Sequence, residues 1–339
     1  MKRIITIFIV AIAIAGCTKK KETTVNNSPK ENLRALWEIL DERYCYFEER
    51  GIDWEGVYYE SAPKLRNIQS VYGLFNVMKE MLDTLNDGHV NLYSPFDVSS
   101  CSGWYEDYPR DYSSDIIFSD DYIGDNYKRI NGIYYGIIQR NIGYIYVSTF
   151  SNTFSSTTFK YIDYYFRKTK GLIIDVRDNG GGSLEEAERL AACFHNEKIL
   201  VGYIRHKTGK GHSDFSEPEA MYVDPADSLI NWTQRPTVVL TNRRSYSATN
   251  TFVMKMQNAP NVTIIGGRTG GGGGMPLSQE LPIGWMIRFS AVPMYDCDMK
   301  TIEFGIDPDE EIHITDEDYV NRRDAIIDRA IEILDKKTK

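Results

Sequence analysis

The sequence has few of the features that would assign a function quickly. Its 339 residues contain no apolar run long enough to span a bilayer as a helix, since the only long stretch is Ile4 to Ile14. There are five cysteines and none forms a CxxC pair, so zinc-ribbon and thioredoxin-type chemistry is not indicated. Five histidines include no HExxH, which argues against a zinc peptidase, and no metal or other cofactor is expected. A GK[ST] phosphate loop, a GxGxxG fingerprint and a GxSxG elbow are all missing. Basic residues are outnumbered, 39 Lys and Arg against 48 Asp and Glu, so the net charge of -9 argues against nucleic acid as a partner. No fixed-period repeat is present.

What is there begins at the N-terminus. Lys2 and Arg3 precede the apolar Ile4–Ile14 stretch, and Ile14-Ala15-Gly16-Cys17 closes it. This is the layout of an export signal ending in a bacterial lipobox, with Cys17 as the lipid-attachment residue. Residues 1–17 are therefore expected to be a lipoprotein signal, and cleavage would remove Lys2 and Arg3 and take the formal charge to -11. The polar residues 18–30 read as a tether. Thr18 is not the aspartate of the inner-membrane retention rule, which favours an outer-membrane or periplasm-facing envelope location. Export permits disulfides, but the spacing of Cys45, Cys101, Cys193 and Cys297 does not pair them.

The rest divides by character. Residues 31–92 predict a helical subdomain, from Leu33, Leu36, Trp37 and Leu40 and from Leu74, Val77, Met78, Met81, Leu82 and Leu85, with Ser70 as an N-cap. Residues 93–140, rich in Tyr, Asp and Ser with short apolar runs, predict a small β-rich segment. From 141 to 339 strands and helices alternate, which predicts an α/β core. Its strands are expected at 143–147, 171–176, 236–240 and 262–265. A helix opens at Ser183, where Ser-Leu-Glu-Glu has capping-box spacing, and another runs from about Ala248 to Gln257.

Several residues in this core have chemical potential. Ser247 lies between a buried strand and a helix, where backbone N–H groups are free, although serine is also a common helix cap. Asp175-Val176-Arg177-Asp178-Asn179-Gly180-Gly181-Gly182 leads a strand into three glycines and a helix N-terminus, the equipment of an oxyanion hole. His89 follows a helix in Asn86-Asp87-Gly88-His89. Gly270 to Gly274 are consecutive, either a mobile loop or a place where backbones pass closely. Glu303 ends a short apolar run and reads alone as a surface acid.

Together these residues resemble the S41 peptidases, the family of tail-specific (C-terminal processing) proteases, interphotoreceptor retinoid-binding repeats and the tricorn core. The motifs that carry the resemblance are Asp175, Arg177, Asn179, Gly181 and Gly182; Ser247-Ala248-Thr249-Asn250; Ile264 to Thr269; Gly305-Ile306-Asp307-Pro308-Asp309; and Leu85 to His89. They lie in family order over about residues 30–315. The resemblance implies a helical lead-in and a crotonase-like (ClpP/crotonase) α/β catalytic core. It also implies a serine peptidase acting on a peptide or unfolded polypeptide.

Two departures matter. The tail-specific branch places a lysine 25 positions after its serine, where this chain has Gly272; Lys255 reads as a solvated surface residue. The tricorn-like branch instead implies His89 as general base for Ser247, Glu303 as the distant glutamate, and an oxyanion hole from Gly181 or Gly182 with Ala248. The residue that assists the relay in tricorn is Gly88 here. An unperturbed histidine base implies an acid limb near pH 6.5. The stretch between His89 and Gly143 is too short for the PDZ domain of the tail-specific branch. Gly272 and Asn250 leave a second reading open, an inactive S41-like module that binds peptides or apolar ligands. Nothing in the sequence sets the oligomeric state.

Overall fold

The computed structural model describes residues 27–226 and 230–337. The expected signal, Cys17 and all but the end of the tether lie outside them. The chain opens with helices α1 (Pro29–Arg43), α2 (Phe47–Arg50), α3 (Trp54–Ser61) and α4 (Val71–Asp83), then strand β1 (Asn91–Tyr93) and a single helical turn, α5 (Ser114–Ile117). Strands β2 (Lys128–Ile130), β3 (Ile133–Ile138) and β4 (Ile142–Val147) follow, then α6 (Ser156–Phe166), β5 (Leu172–Asp175) and α7 (Leu184–Ala192). The remainder is β6 (Ile199–Ile204), β7 (Glu219–Val223), β8 (Thr237–Thr241), α8 (Ala248–Gln257), β9 (Val262–Gly266), β10 (Gly274–Glu280), β11 (Met286–Tyr295), β12 (Glu310–Glu311), α9 (Asp316–Val320) and α10 (Ala325–Lys337).

Seven strands form the main sheet in the order β12-β9-β8-β5-β4-β3-β2, with β4, β5, β8, β9 and β12 parallel. Its central strands β4, β5 and β8 are buried along their whole length because both faces are covered, while the edge strands β2 and β12 are polar. Ile145, Ile174 and Val239 point to the side packed by α6, α7 and α8, while their neighbours Tyr144, Ile173 and Val238 join Ile327 and Ile331 of α10. A second, antiparallel sheet, β1-β11-β6-β7 with β10 also on β11, has no counterpart in the expected strand list. Ile287 and Phe289 of β11 pack under Leu36, Leu40, Met78 and Met81 of the N-terminal helices.

The helical lead-in forms where predicted, and Ser70 Oγ accepts from Gly73 N at 3.2 Å. The first helix starts at Pro29, capped by Ser28, inside the expected tether. Ser183 caps α7, but Glu186 does not complete the capping box; its Oε2 accepts from Phe154 N at 2.7 Å. The expected separate β-rich segment is corrected. Residues 94–127 are mainly irregular, the run at 115–118 falls mostly in α5, and β2 and β3 extend the main sheet. Four apolar residues do not distinguish a strand from a helical turn.

Candidate active site

Three adjacent parallel strands, β5, β8 and β9, deliver three turns at their carboxyl ends, where ligands bind in open α/β sheets. From β5 comes the triglycine turn, from β8 the turn holding Ser247, and from β9 the glycine run. The first two are tied together: Tyr246 N donates to Asn179 O at 3.1 Å, and Ser245 Oγ donates to Val176 O at 2.8 Å. The third joins them through Ser247 N to Gly271 O at 2.8 Å and Gly270 N to Ser245 O at 2.9 Å.

Ser247 itself is strained, with φ 60° and ψ -121°, immediately before α8. A non-glycine residue held there needs its surroundings to enforce it. This is the sharp strand-to-helix turn of a nucleophile elbow, reached without GxSxG. The room that elbow glycines provide in sequence comes here from glycines across space. A Cβ on Gly181 would lie 2.9 Å from Ser247 Cβ, and one on Gly271 would lie inside the Glu303 carbonyl. The glycine run is therefore a close passage of backbones, not a loose loop.

Serine at a helix N-cap ordinarily accepts a hydrogen bond from the first turn. Ser247 Oγ makes no such bond. It lies 2.8 Å from His89 Nε2 instead, and it is half-buried. The histidine is buried and enters from the loop before β1, whose Asn91 pairs with Arg288 of β11. Burial pushes its pKa down to about 4; Asp87 opposes the shift and Arg288 adds to it. The titration near 6.5 expected for an ordinary histidine is corrected accordingly. His89 Nδ1 has no hydrogen-bond partner among the described residues, and the nearby Gly274 carbonyl exerts only a weak upward pull.

Asp87 was not singled out from the sequence. It is buried, accepts from His89 N at 2.8 Å, and is held by Tyr44 OH at 3.0 Å and Ser290 Oγ at 2.8 Å. An acid two residues before a histidine is a faint signal, and its hydroxyl donors come from distant segments.

Glu303 is not a surface acid but a fully enclosed one, and the structure does not bring it to His89. Its Oε1 accepts from Arg50 Nη2 at 2.5 Å and its Oε2 from Gly273 N at 2.8 Å. Burial and Asp87 push its carboxyl up to about 8, with Arg50 opposing. Lys255 is corrected as well: it is buried on α8 and paired with Glu188 at 2.7 Å. Among the expected oxyanion donors, Gly181 N already donates to Asn179 Oδ1 at 2.9 Å. No acceptor for Gly182 N or Ala248 N occurs among the described residues.

The two family departures have steric causes. Position 272 has φ +73°, and a Cβ there would lie 2.5 Å from Tyr246 Cζ, so the tyrosine ring fills the space a lysine would enter. A Cβ at 88 would lie 2.6 Å from Trp104 Nε1. Asn250 is buried and structural, donating to Ile302 O at 2.9 Å and accepting from Thr269 Oγ1 at 2.6 Å. Arg177 is likewise structural. It is enclosed between Asp175 at 2.6 Å and Asp324 at 2.9 Å.

Comparison with known proteins bears on this geometry. The family model described as "Peptidase family S41" matches residues 141–312, half of the chain. The chain belongs to peptidase family S41. A second model, "Tricorn protease C1 domain", matches residues 26–83 of this S41 chain. It is 26% identical over 189 residues to the carboxy-terminal processing protease CtpA of Bacillus subtilis, covering 55% of the chain and 38% of that protein. It is 31% identical over 172 residues to a candidate tricorn-like protease C-terminal subunit of Sulfurisphaera tokodaii, covering 48% and 17%. The chain thus spans well under half the length of these two relatives. A crystal structure of a candidate peptidase from Parabacteroides merdae is 46% identical, covers 91% of the chain and 97% of its own, and superposes with a TM-score of 0.86. The four described cysteines are free, and no helix among the described residues is long and apolar enough to cross a membrane.

Proposed function

We propose that this S41 chain is a serine endopeptidase that cleaves exported polypeptides through an acyl-enzyme on Ser247. The observation that carries the reading is the contact between Ser247 Oγ and His89 Nε2 at the strained turn. His89, neutral at working pH, takes the hydroxyl proton as Oγ attacks the peptide carbonyl. The C–N bond then breaks, and the imidazolium returns the proton to the leaving amine. Water enters, gives a proton to His89 and attacks the ester; the C–O bond breaks and the imidazolium returns the proton to Ser247 Oγ. The oxyanion is received by Ala248 N–H and a donor of the triglycine turn, where Gly181 N is already bonded to Asn179 Oδ1 and Gly182 N has no acceptor among the described residues. Asp87 faces the imidazolium as its nearest balancing charge. Glu303 is a positioning residue, holding Gly273 and Arg50 rather than the base.

Two parts of the reading concern location and rest on residues 1–17. Lipid attachment at Cys17 tethers the enzyme to the bacterial envelope, and the polar residues 18–28 link that anchor to the first helix. Globomycin-sensitive processing and radiolabelled palmitate incorporation that vanish in Cys17→Ala test the anchor.

A fluorophosphonate probe tests the chemistry. Labelling that Ser247→Ala abolishes and His89→Ala greatly slows supports the peptidase. Absence of labelling on cooperatively folded protein would favour the inactive binding module, and turnover of small esters with none of any peptide would make it an esterase.

A further inference from the structure

A catalytic imidazole is ordinarily fixed by a hydrogen bond on its second nitrogen. His89 has no well-formed one among the described residues: only the Gly274 carbonyl lies near Nδ1, with a weak pull, and Glu303 is engaged elsewhere. A ring with one hydrogen bond must be held by packing. The packing here is aromatic. The Tyr246 ring lies 5.0 Å from the His89 ring, tilted by 58°, and the Trp104 indole stacks on Tyr246 at 4.0 Å and 26°.

The backbone around this stack is shaped to admit it. A Cβ at Gly88, beside the base, would lie 2.6 Å from Trp104 Nε1. One at Gly270 would lie 2.4 Å from Trp104 Cζ3, and one at Gly272 would lie 2.5 Å from Tyr246 Cζ. Three glycines therefore leave room for two rings. Trp104 comes from the irregular segment after β1, which has no other part in the proposed chemistry. That segment is fastened to the residues just before Ser247. Arg243 Nε donates to Trp104 O at 2.6 Å, the Arg243 guanidinium lies 4.1 Å over Tyr108, and that of Arg244 lies 4.1 Å over Tyr105. Behind the stack is a polar cavity of about 190 Å³ walled by Arg50, Arg243 and Glu303. Loss of the indole would open His89 toward that space, which is large enough for several waters.

We propose that Trp104 is a positioning residue of the Ser247 site: its indole braces Tyr246, and Tyr246 holds the His89 ring in line with Ser247 Oγ. The assignment rests on the Ser247–His89 reading. It differs from a purely structural role because it concerns the face of the ring and not only its volume. Trp104→Phe keeps a stacking face, whereas Trp104→Met fills space without one. A misplacement of about 1 Å at a reacting group costs about 10²-fold in rate.

The experiment is fluorophosphonate labelling of the full chain across pH, with thermal unfolding measured on every variant. Trp104→Met is expected to label about 10²-fold more slowly than wild type. Its acid limb is expected to climb from near 4 toward the ordinary histidine value, as water reaches the ring. Trp104→Phe is expected to restore most of the rate. If Trp104→Met fails to fold, Tyr246→Leu removes the same face from the other side and is expected to show both effects. A folded variant without the stack that labels like wild type, or a Trp104→Phe as slow as Trp104→Met, overturns the proposal while leaving the serine assignment intact. Wild-type labelling that survives Ser247→Ala overturns both.

Discussion

Ser247 Oγ and His89 Nε2 meet at 2.8 Å across 158 positions of sequence. One group stands on the parallel core sheet and the other on the loop that enters the antiparallel sheet. The pair exists only when the N-terminal helices are docked, because Tyr44 after α1 and Ser290 of β11 hold the loop through its own Asp87. A cut between the helical lead-in and the core would therefore separate His89 from Ser247.

The contact has a pH signature. A general base works in its neutral form, and His89 is pushed down to about 4. The acid limb of kcat/KM is expected near pH 4, not near 6.5. Stability moves in the same direction. The unfolded histidine titrates near 6.5, so between about 6.5 and 4 the unfolded state holds more protons, and stability falls as pH drops through that window. Labelling rates and thermal melts between about pH 3.5 and 8 check both; a limb centred near 6.5 would contradict the burial of His89.

Asp87→Asn tests the charge beside the base. The carboxylate opposes the desolvation of His89, so its removal lowers the histidine pKa further and leaves the imidazolium uncompensated. The rate is expected to fall at least about tenfold, equivalent to about 1.4 kcal/mol of barrier, with the acid limb moving lower. The asparagine amide also places N–H donors against the hydroxyls of Tyr44 and Ser290, costing about 1–3 kcal/mol of stability. An acid limb that rises would count against this role.

Gly272 tests why this chain has no lysine base. Gly272→Ala must accommodate a side chain at φ +73° with its Cβ 2.5 Å from Tyr246 Cζ. Overpacking of this kind costs about 1–3 kcal/mol and is expected to displace Tyr246 from His89. Gly272→Lys in a His89→Ala background is expected to remain inactive, because the space belongs to the tyrosine ring. Recovery of labelling in that double variant would show that the site accepts either base.

The chain's spacing carried the parallel core, the helical lead-in and the ordered motifs, because buried strands and amphipathic helices write their period into local sequence. The second sheet was not legible for equally physical reasons. Pro276 sits at a register shift in β10 and Pro293 lies within β11, and proline argues against a strand. Residues 94–127 gave no period because they are fastened by individual contacts, such as Arg243 to Trp104. The proximity of Ser247 and His89 followed from the family resemblance; nothing local to either residue encodes it. Asp87, Arg50 and Trp104 act through partners far away in sequence, and no spacing rule reaches them.

Arg177 separates what holds the fold from what performs the chemistry. Its guanidinium is fully buried, with Asp175 on one side and Asp324 on the other, and Tyr144 OH caps Asp175 at 2.6 Å. Asp324 in turn accepts from Ile326 N and Ile327 N at the start of α10, so the arginine ties the sheet to the C-terminal helix. Arg177→Ala leaves two carboxylates enclosed without a cation, and breaking a buried pair in this way costs about 3–5 kcal/mol. Arg177→Lys is expected to recover little, since one ammonium does not reach both acids with the arginine's fork. The midpoint of denaturant unfolding should fall in both variants. Protein that remains folded should label at near the wild-type rate, because the hydrogen bonds of the Arg177 guanidinium go to Asp175, Asp111 and Asp324 and not to Ser247 or His89. A loss of labelling in folded Arg177→Ala would instead place the Asp-x-Arg motif within the catalytic machinery.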